Sequence, residues 1–384
     1  HFTVFKICYN VYVLYLIIKI ATMLRTRVVI VSFILISFSS IYFSGCVPVE
    51  RVNPSSTTNI ADSSAWKLVA GSTSDQLIRS LHNTPYEMYA LSNDYFFRFD
   101  NTLGLEEKRL LSTDKQLYGV PVFSDNTFTR VSQNKTDNKQ VLEFHLVHNA
   151  AVIRNVYASE IIDTAKKESV NYDVLGRTAG CYSGDGTTFF ITGTVYPNYT
   201  PTAFLIDVQL NYEAKDFITV KKSKRILIPG LVTDLKIESS KFIGKNFYLA
   251  TKDGGYKIGL DGTIAKLFPN WVLDFFSYKG NIYATGFSNS DFFVSSDGGD
   301  TFKRAPSGSA LRYVQNAGFE VFSQDIRGLP YTVADTSLTK IKSLKYNSTF
   351  STNPDTYYDV IYFRNSYYIS VGKAIYSNTS LPLK

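Results

Sequence analysis

Three cysteines in 384 residues leave little to staple the chain with. Cys8 and Cys46 fall within the first 46 residues, so Cys181 stands alone in the body and no disulfide can form there. A domain without crosslinks must be held by its core, and about 320 residues after the N-terminal region are enough for one large β-domain or two smaller ones. Histidine is as scarce, with four residues, and tryptophan is confined to Trp66 and Trp271. His145 and His148 lie three apart in "HLVH". On a strand an odd separation sends side chains to opposite faces, so this pair does not present a zinc site. The chain also lacks a G-x-S-x-G elbow, a phosphate loop and a dinucleotide glycine pattern. The reading therefore assigns no catalytic residues, no metal and no cofactor. Nor is there a strong charge surplus. The first 46 residues hold four of the 40 Lys/Arg and none of the 33 Asp/Glu, so the remainder carries +3 rather than +7. That removes the basic excess a nucleic-acid partner would call for.

Apolar residues are concentrated at the start. From Met23, "MLRTR" supplies a basic n-region, "VVIVSFILISF" an apolar core and "SSIYFSGC" a small-residue end, the order of a secretory signal peptide. The run Val28 to Phe43 is shorter than the ~20 apolar residues of a membrane span and contains four serines. "FSGC" resembles the lipobox of bacterial lipoproteins, with Phe43 where that motif usually has leucine. The resemblance implies cleavage before Cys46, which would carry the lipid and anchor the protein to the membrane. Residues 23–45 are then the signal peptide. Residues 1–22, ahead of the first methionine, read as upstream translation outside the mature protein. Residues 46–65, rich in Ser, Thr, Pro and Asn, form a lipidated tether that cannot bury enough surface to fold. Residues 66–384 form the folded domain.

Within that domain no long stretch has helical periodicity, although "SDQLIRSLHN" is expected to form one helical turn. Short runs of Tyr, Phe, Ile, Val and Thr alternate with Asn, Asp, Gly and Ser turns, the pattern of an all-β chain. Three segments repeat a unit: an apolar strand with an aspartate (Asp234, Asp274, Asp359), a polar turn, and an aromatic strand centred on Tyr248, Tyr283 or Tyr368. Further strands follow. Fainter copies centre on Tyr89, Phe128, Phe190 and Val321. Four strands per unit at a period of ~40–50 residues indicates a β-propeller, here of seven four-stranded blades, with six or eight as alternatives. A pair of β-sandwiches would explain the alternation but not the period. The last unit lacks a strong fourth strand, and "WKLVA" at Trp66 is expected to supply it and close the ring.

Between the third and fourth strands of one unit, "SSDGGDTF" fits S-x-D-x-G-x-T-[W/F] at Ser295, Asp297, Gly299, Thr301 and Phe302. This resembles the Asp box, or bacterial neuraminidase repeat, found in sialidases, sortilin-like receptors and photosystem II assembly-factor-like propellers. The last group is the most similar over this unit. The resemblance implies a structural turn set away from the active face. "TKDGGYKI" at Thr251 and "SGDGTTF" at Ser183 are read as ordinary Asp-Gly hairpins. Sialidase chemistry would require an arginine cluster and a Tyr–Glu pair, and the F/Y-R-I-P motif that opens sialidase domains is absent. "VKKSKR" at Val220 reads as a solvated strand end, with contact to anionic lipid headgroups as the alternative.

Asp234, Asp274 and Asp359 begin strands assigned to the channel. They would either ring one mouth, where a cation or sugar could bind, or cap the backbone of the neighbouring blade. The expected function is a membrane-anchored, monomeric propeller of the bacterial envelope that binds a protein or glycan partner without catalysis. The alternative is a carbohydrate-active enzyme of sialidase-like or other glycoside-processing type.

Overall fold

The computed structural model describes residues 66–379 apart from internal stretches at 70–76, 163–167, 173–179, 211–217, 230–236, 306–310, 325–329, 334–337 and 344–356 and a few of one or two residues. The leader, Cys46 and the tether lie outside the described residues, as does Asp234. A short strand β1 (Lys67–Leu68) precedes blade 1, which comprises β2 (Ile78–Asn83), β3 (Met88–Ser92), β4 (Tyr95–Phe99) and β5 (Leu105–Leu110). Blade 2 comprises β6 (Lys115–Phe123), β7 (Thr127–Asn134), β8 (Gln140–Leu146) and β9 (Val152–Tyr157). Blade 3 holds β10 (Ser169–Tyr172), β11 (Gly180–Tyr182), β12 (Thr188–Tyr196), β13 (Thr200–Leu210) and β14 (Ile218–Leu227). Blade 4 is β15 (Ile237–Ile243), β16 (Asn246–Thr251), β17 (Gly254–Gly259) and β18 (Ile264–Phe268). Blade 5 is β19 (Val272–Tyr278), β20 (Asn281–Gly286), β21 (Phe292–Ser295) and β22 (Lys303–Arg304). Blade 6 is β23 (Tyr313–Ala317), β24 (Glu320–Gln324), β25 (Pro330–Val333) and β26 (Ile341–Ser343). Blade 7 is β27 (Tyr357–Phe363), β28 (Ser366–Val371) and β29 (Ala374–Asn378), completed by β1.

The chain is thus an all-β propeller of six four-stranded sheets and one five-stranded sheet. In the five-stranded sheet β10 and β11 pair with successive stretches of the same edge of β12 and together take the place of an inner strand. The seven first strands, with β11 standing for blade 3, touch in sequence around a closed circle from β2 through β27 and back to β2. All seven repeat centres, Tyr89, Phe128, Phe190, Tyr248, Tyr283, Val321 and Tyr368, fall on second strands. Ring closure follows the expectation for Trp66. β1 pairs antiparallel with β29, Lys67 opposite Ser377, and the Trp66 ring is buried against blades 6 and 7. The edge of blade 7 is thereby covered by the start of the domain.

The expectation of a helical turn in "SDQLIRSLHN" is corrected for its second half: Ile78–Asn83 is the inner strand of blade 1, hydrogen-bonded to β3. Sheet pairing overrides the weak local preference of Leu and Arg. One four-residue helix, Ala158–Ile161, lies between β9 and β10.

The core is not central. It consists of seven apolar clusters, one at each blade boundary. Middle strands are sandwiched on both faces, so they read as nearly continuous apolar runs. On β3 all five residues are buried: Met88 and Ala90 pack toward blade 7, while Tyr89 and Leu91 pack toward blade 2. Large rings suit the wedge-shaped space between splayed sheets, which explains the wealth of Phe and Tyr.

Candidate functional site

Four inner strands share a bulge at their first residues, between Ile78 and Ser80, Ile237 and Ser239, Val272 and Asp274, and Tyr357 and Asp359. A bulge kinks the strand and re-aims the side chains around it. It brings Ser80, Ser239, Asp274 and Asp359 to equivalent places on the inner ring. The equivalent in blade 4 is therefore Ser239 rather than Asp234.

Asp274 is buried and fully engaged. One oxygen accepts from Ser239 Oγ at 2.6 Å and from the Phe275 amide at 2.9 Å. The other accepts from Lys241 Nζ at 2.6 Å and from the Val314 amide of the next blade at 2.7 Å. Asp359 accepts from the Leu81 amide of blade 1 at 2.7 Å, the Val360 amide at 2.9 Å and the Gln315 side chain of blade 6. Both carboxylates thus cap a neighbouring blade. Burial pushes Asp359 up to about 6, against the opposing pull of its hydrogen-bond donors.

Both aspartates also line a cavity of about 630 Å³ to which all seven inner strands contribute. Its wall mixes hydroxyl and amide groups, such as Ser124, Asn126, Ser183 and Gln315, with rings and aliphatic side chains such as Phe123, Val122 and Ile243, and Asp125 and Asp185 stand on the strand 1–2 turns. Arg79 is the one arginine among its lining residues and donates to Asn93 at 2.9 Å. Burial shifts several groups in the wall toward their neutral forms, whereas hydrogen bonds from Ser183 and Thr187 hold the Asp185 carboxyl below its ordinary value. Burial pushes Cys181 up to about 12 and Tyr182 up to about 12, and lowers His82 to about 4 with Asp125 opposing. The His82 ring lies flat on Phe123, with centroids 4.6 Å apart. This wall offers hydrogen bonds and flat apolar surface, with the carboxyl groups of Asp125 and Asp185 beside them.

His145 and His148 are separated. His145 is buried in blade 2, stacked on Phe128 at 4.5 Å, with Nδ1 3.1 Å from the Ala150 carbonyl, while His148 is exposed in the following turn. "VKKSKR" lies on β14, the outermost strand of blade 3, with Lys221, Lys224 and Arg225 exposed. Arg225 is paired with Glu168 at 2.8 Å.

The stretch from Ser295 to Phe302 joins β21 to β22, the third and fourth strands of blade 5. Ser295 Oγ donates to Asp297 at 2.6 Å and accepts from the Gly299 amide at 2.8 Å. Asp297 also accepts from the amides of Asp300 and Thr301 at 3.1 and 3.0 Å and from the Thr301 hydroxyl. Phe302 packs edge-on against Phe268 at 5.0 Å. The turn also reaches blade 4, where Tyr248 Oη donates to the Gly298 carbonyl at 3.1 Å and Lys257 Nζ pairs with Asp300 at 2.6 Å. Asp100 and Thr102 in blade 1, and Asp261 and Thr263 in blade 4, repeat the Asp–Thr bond in the same turn position.

The two look-alikes fall elsewhere. "TKDGGYKI" spans the turn from β16 to β17, between strands two and three. "SGDGTTF" spans β11 to β12 at the cavity. It is more than a plain Asp-Gly turn: Ser183 Oγ donates to Asp185 at 2.6 Å and accepts from the Thr188 amide at 2.9 Å, echoing the Ser295 arrangement.

The sequence reading passed over Trp271. Its ring stacks on Phe287, with centroids 4.4 Å apart and planes 11° from parallel, and Phe287 is 50% exposed. Trp271 Nε1 donates to Glu238 at 3.0 Å, and the other Glu238 oxygen accepts from Tyr313 Oη at 2.8 Å. Glu238 is the bulged residue of β15, a feature that composition does not reveal.

No family model matches the chain, and no curated protein matches it. Among solved structures it is similar to the Neurospora crassa Pan2 WD40 domain (11% identity, TM-score 0.48, covering 83% of this chain and 97% of that one). It is also similar to PorZ, a surface component of the type-IX secretion system of Porphyromonas gingivalis (10%, TM-score 0.44, 83% and 38%). A third is an extracellular domain from B. thetaiotaomicron ascribed to a one-component system (10%, TM-score 0.49, 82% and 40%). The chain spans about two fifths of the length of the latter two.

Proposed function

We propose that this propeller is a non-catalytic binding module of the bacterial cell envelope, anchored through lipidated Cys46, and that its partner engages the central cavity. The observation that carries the reading is the state of the cavity wall. Asp274, Asp359 and Lys241 are committed to bonds between blades, and Cys181 and Tyr182 are held protonated. What else faces a ligand is an array of hydroxyls, amides and rings, with the Asp125 and Asp185 carboxyl groups at the strand 1–2 turns, a surface suited to holding a partner by hydrogen bonds. The envelope location rests on the signal peptide and "FSGC". Among the described residues no helix is long and apolar enough to cross a membrane.

The enzyme alternative needs convergent arginines beside an activated tyrosine. Tyr89 does donate to Glu87, which lies 3.6 Å from Arg98. That group sits in strand packing outside the cavity lining, and burial raises the Tyr89 phenol further from ionisation. A fluorogenic glycoside panel tests the choice. No turnover is expected, and hydrolysis lost on mutating Tyr182 or His82 would overturn the binding reading.

A further inference from the structure

In an up-and-down blade, the start of strand one, the turn between strands two and three, and the end of strand four share one end of the sheet. Three aromatic residues gather there at blades 4 to 6. Trp271 precedes β19, Phe287 follows β20, and Tyr313 begins β23. Phe287 forms the half-exposed outer layer of the stack, and Trp271 forms the inner layer. The Trp271 plane is fixed at two points, by Phe287 on its face and by Glu238 on its Nε1. Lys252, exposed on the β16–β17 turn, lies 5.6 Å from the Trp271 centroid. Glu238 passes the constraint to Tyr313, a residue that lines the cavity. A flat ring surface, preorganised by supporting groups, is therefore tied through Glu238 to Tyr313, a residue of the cavity wall.

This pairing of surfaces matches one ligand chemistry. A pyranose ring has a flat face of C–H groups, which the negative face of an aromatic ring attracts, and a hydroxyl edge that needs donors and acceptors. We infer that the Trp271–Phe287 stack is a sugar platform at the cavity rim, and that the ligand is a neutral polysaccharide laid from the platform toward Tyr313 and the cavity. The inference rests on the binding reading of the cavity but can fail independently of it.

Tryptophan fluorescence gives a direct test, because Trp66 is 1% exposed and quenching by acrylamide reports chiefly on Trp271. The intact domain is titrated with soluble laminarin, xylan and mannan, and with a polyproline peptide as the competing class. At least one polysaccharide should shield Trp271 from acrylamide, and Phe287→Ala should weaken that binding about tenfold or more. Phe287 is a surface residue, so an unchanged urea midpoint checks that the variant is folded. Shielding by polyproline alone, or polysaccharide binding that leaves Trp271 quenching and the Phe287→Ala affinity unchanged, overturns the platform while leaving the cavity reading standing. Failure of all three polysaccharides to shield Trp271 also overturns it.

Discussion

Asp359 in the last blade accepts a hydrogen bond of 2.7 Å from the backbone amide of Leu81 in the first, 278 positions earlier in the chain. The same carboxyl takes the Gln315 amide of blade 6, so one side chain ties three blades at the point where the ring closes. Replacing Asp359 with alanine leaves a buried amide without its acceptor, a loss of about 1–3 kcal/mol. Urea unfolding should show this, with Asp359→Asn less damaging because its carbonyl oxygen still accepts.

Asp359 also predicts a pH dependence. Burial raises its folded value from 3.8 to about 6. A carboxyl whose folded value is raised favours the folded state while it stays protonated. Its contribution is fully present below about pH 4 and is lost as pH rises through about 6. The difference in unfolding midpoint between wild type and Asp359→Asn should therefore change across that window and level off above it. A constant difference from pH 4 to 7 would contradict the assignment.

Trp66 is the counterpart of Asp359 on the outer edge of the closure. Truncating this buried ring to alanine should cost about 3–5 kcal/mol, because the cavity it leaves lies between blades that cannot close on it. Unfolding monitored by circular dichroism would measure the loss. A shift under ~1 kcal/mol would mean that the β1–β29 pairing does not secure the ring.

Gly299 has φ of +83°, and a Cβ there would collide with the Tyr248 hydroxyl of blade 4. Gly299→Ala should destabilise the domain by about 1–3 kcal/mol. If the turn is a latch between blades 4 and 5, Tyr248→Phe should lose part of the same stability and be less harmful in the Gly299→Ala background. A double-mutant cycle supplies the comparison.

Within blade 2, Glu143 receives Arg130 and Lys115, each at 2.6 Å, with Arg130 and Glu143 side chains 2% and 1% exposed. Glu143→Gln leaves two cations without their counter-charge and should cost about 3–5 kcal/mol, read from the same unfolding measurement.

The architecture was legible because a propeller repeats. The aromatic second strands are wedged between neighbours on both faces, so residues such as Tyr248, Tyr283 and Tyr368 mark each blade directly in the sequence. Where two strands take the place of one inner strand, as β10 and β11 do, the repeat signal is faint and Phe190 alone gives the blade away. Ile78–Asn83 was read as part of a helical turn, since its partner strand rather than its own preference makes it extended. Asp274 and Asp359 were placed on inner strands, with a ring at one mouth and a capping bond to the next blade left as alternatives, and their hydrogen bonds run to the neighbouring blade. Glu238 escaped notice because its direction comes from a bulge, a backbone event without a composition signal. Trp271 was not singled out because only its three-dimensional neighbours distinguish it from Trp66.

The anchoring proposal is separable from the ring. Cys46→Ala should abolish metabolic labelling with a lipid probe and release the propeller from the membrane fraction, and continued labelling would refute lipidation at that residue.

The central claim, that a partner enters the cavity, is tested most directly by site-specific photocrosslinking in the native envelope. A diazirine side chain, which inserts into sugar as well as peptide bonds, is placed at Asn316 in the cavity wall and, as a control, at Lys303 on the exposed outer strand of blade 5. The account predicts a crosslinked partner from position 316 and none from 303. Capture from 303 with none from 316 would contradict it.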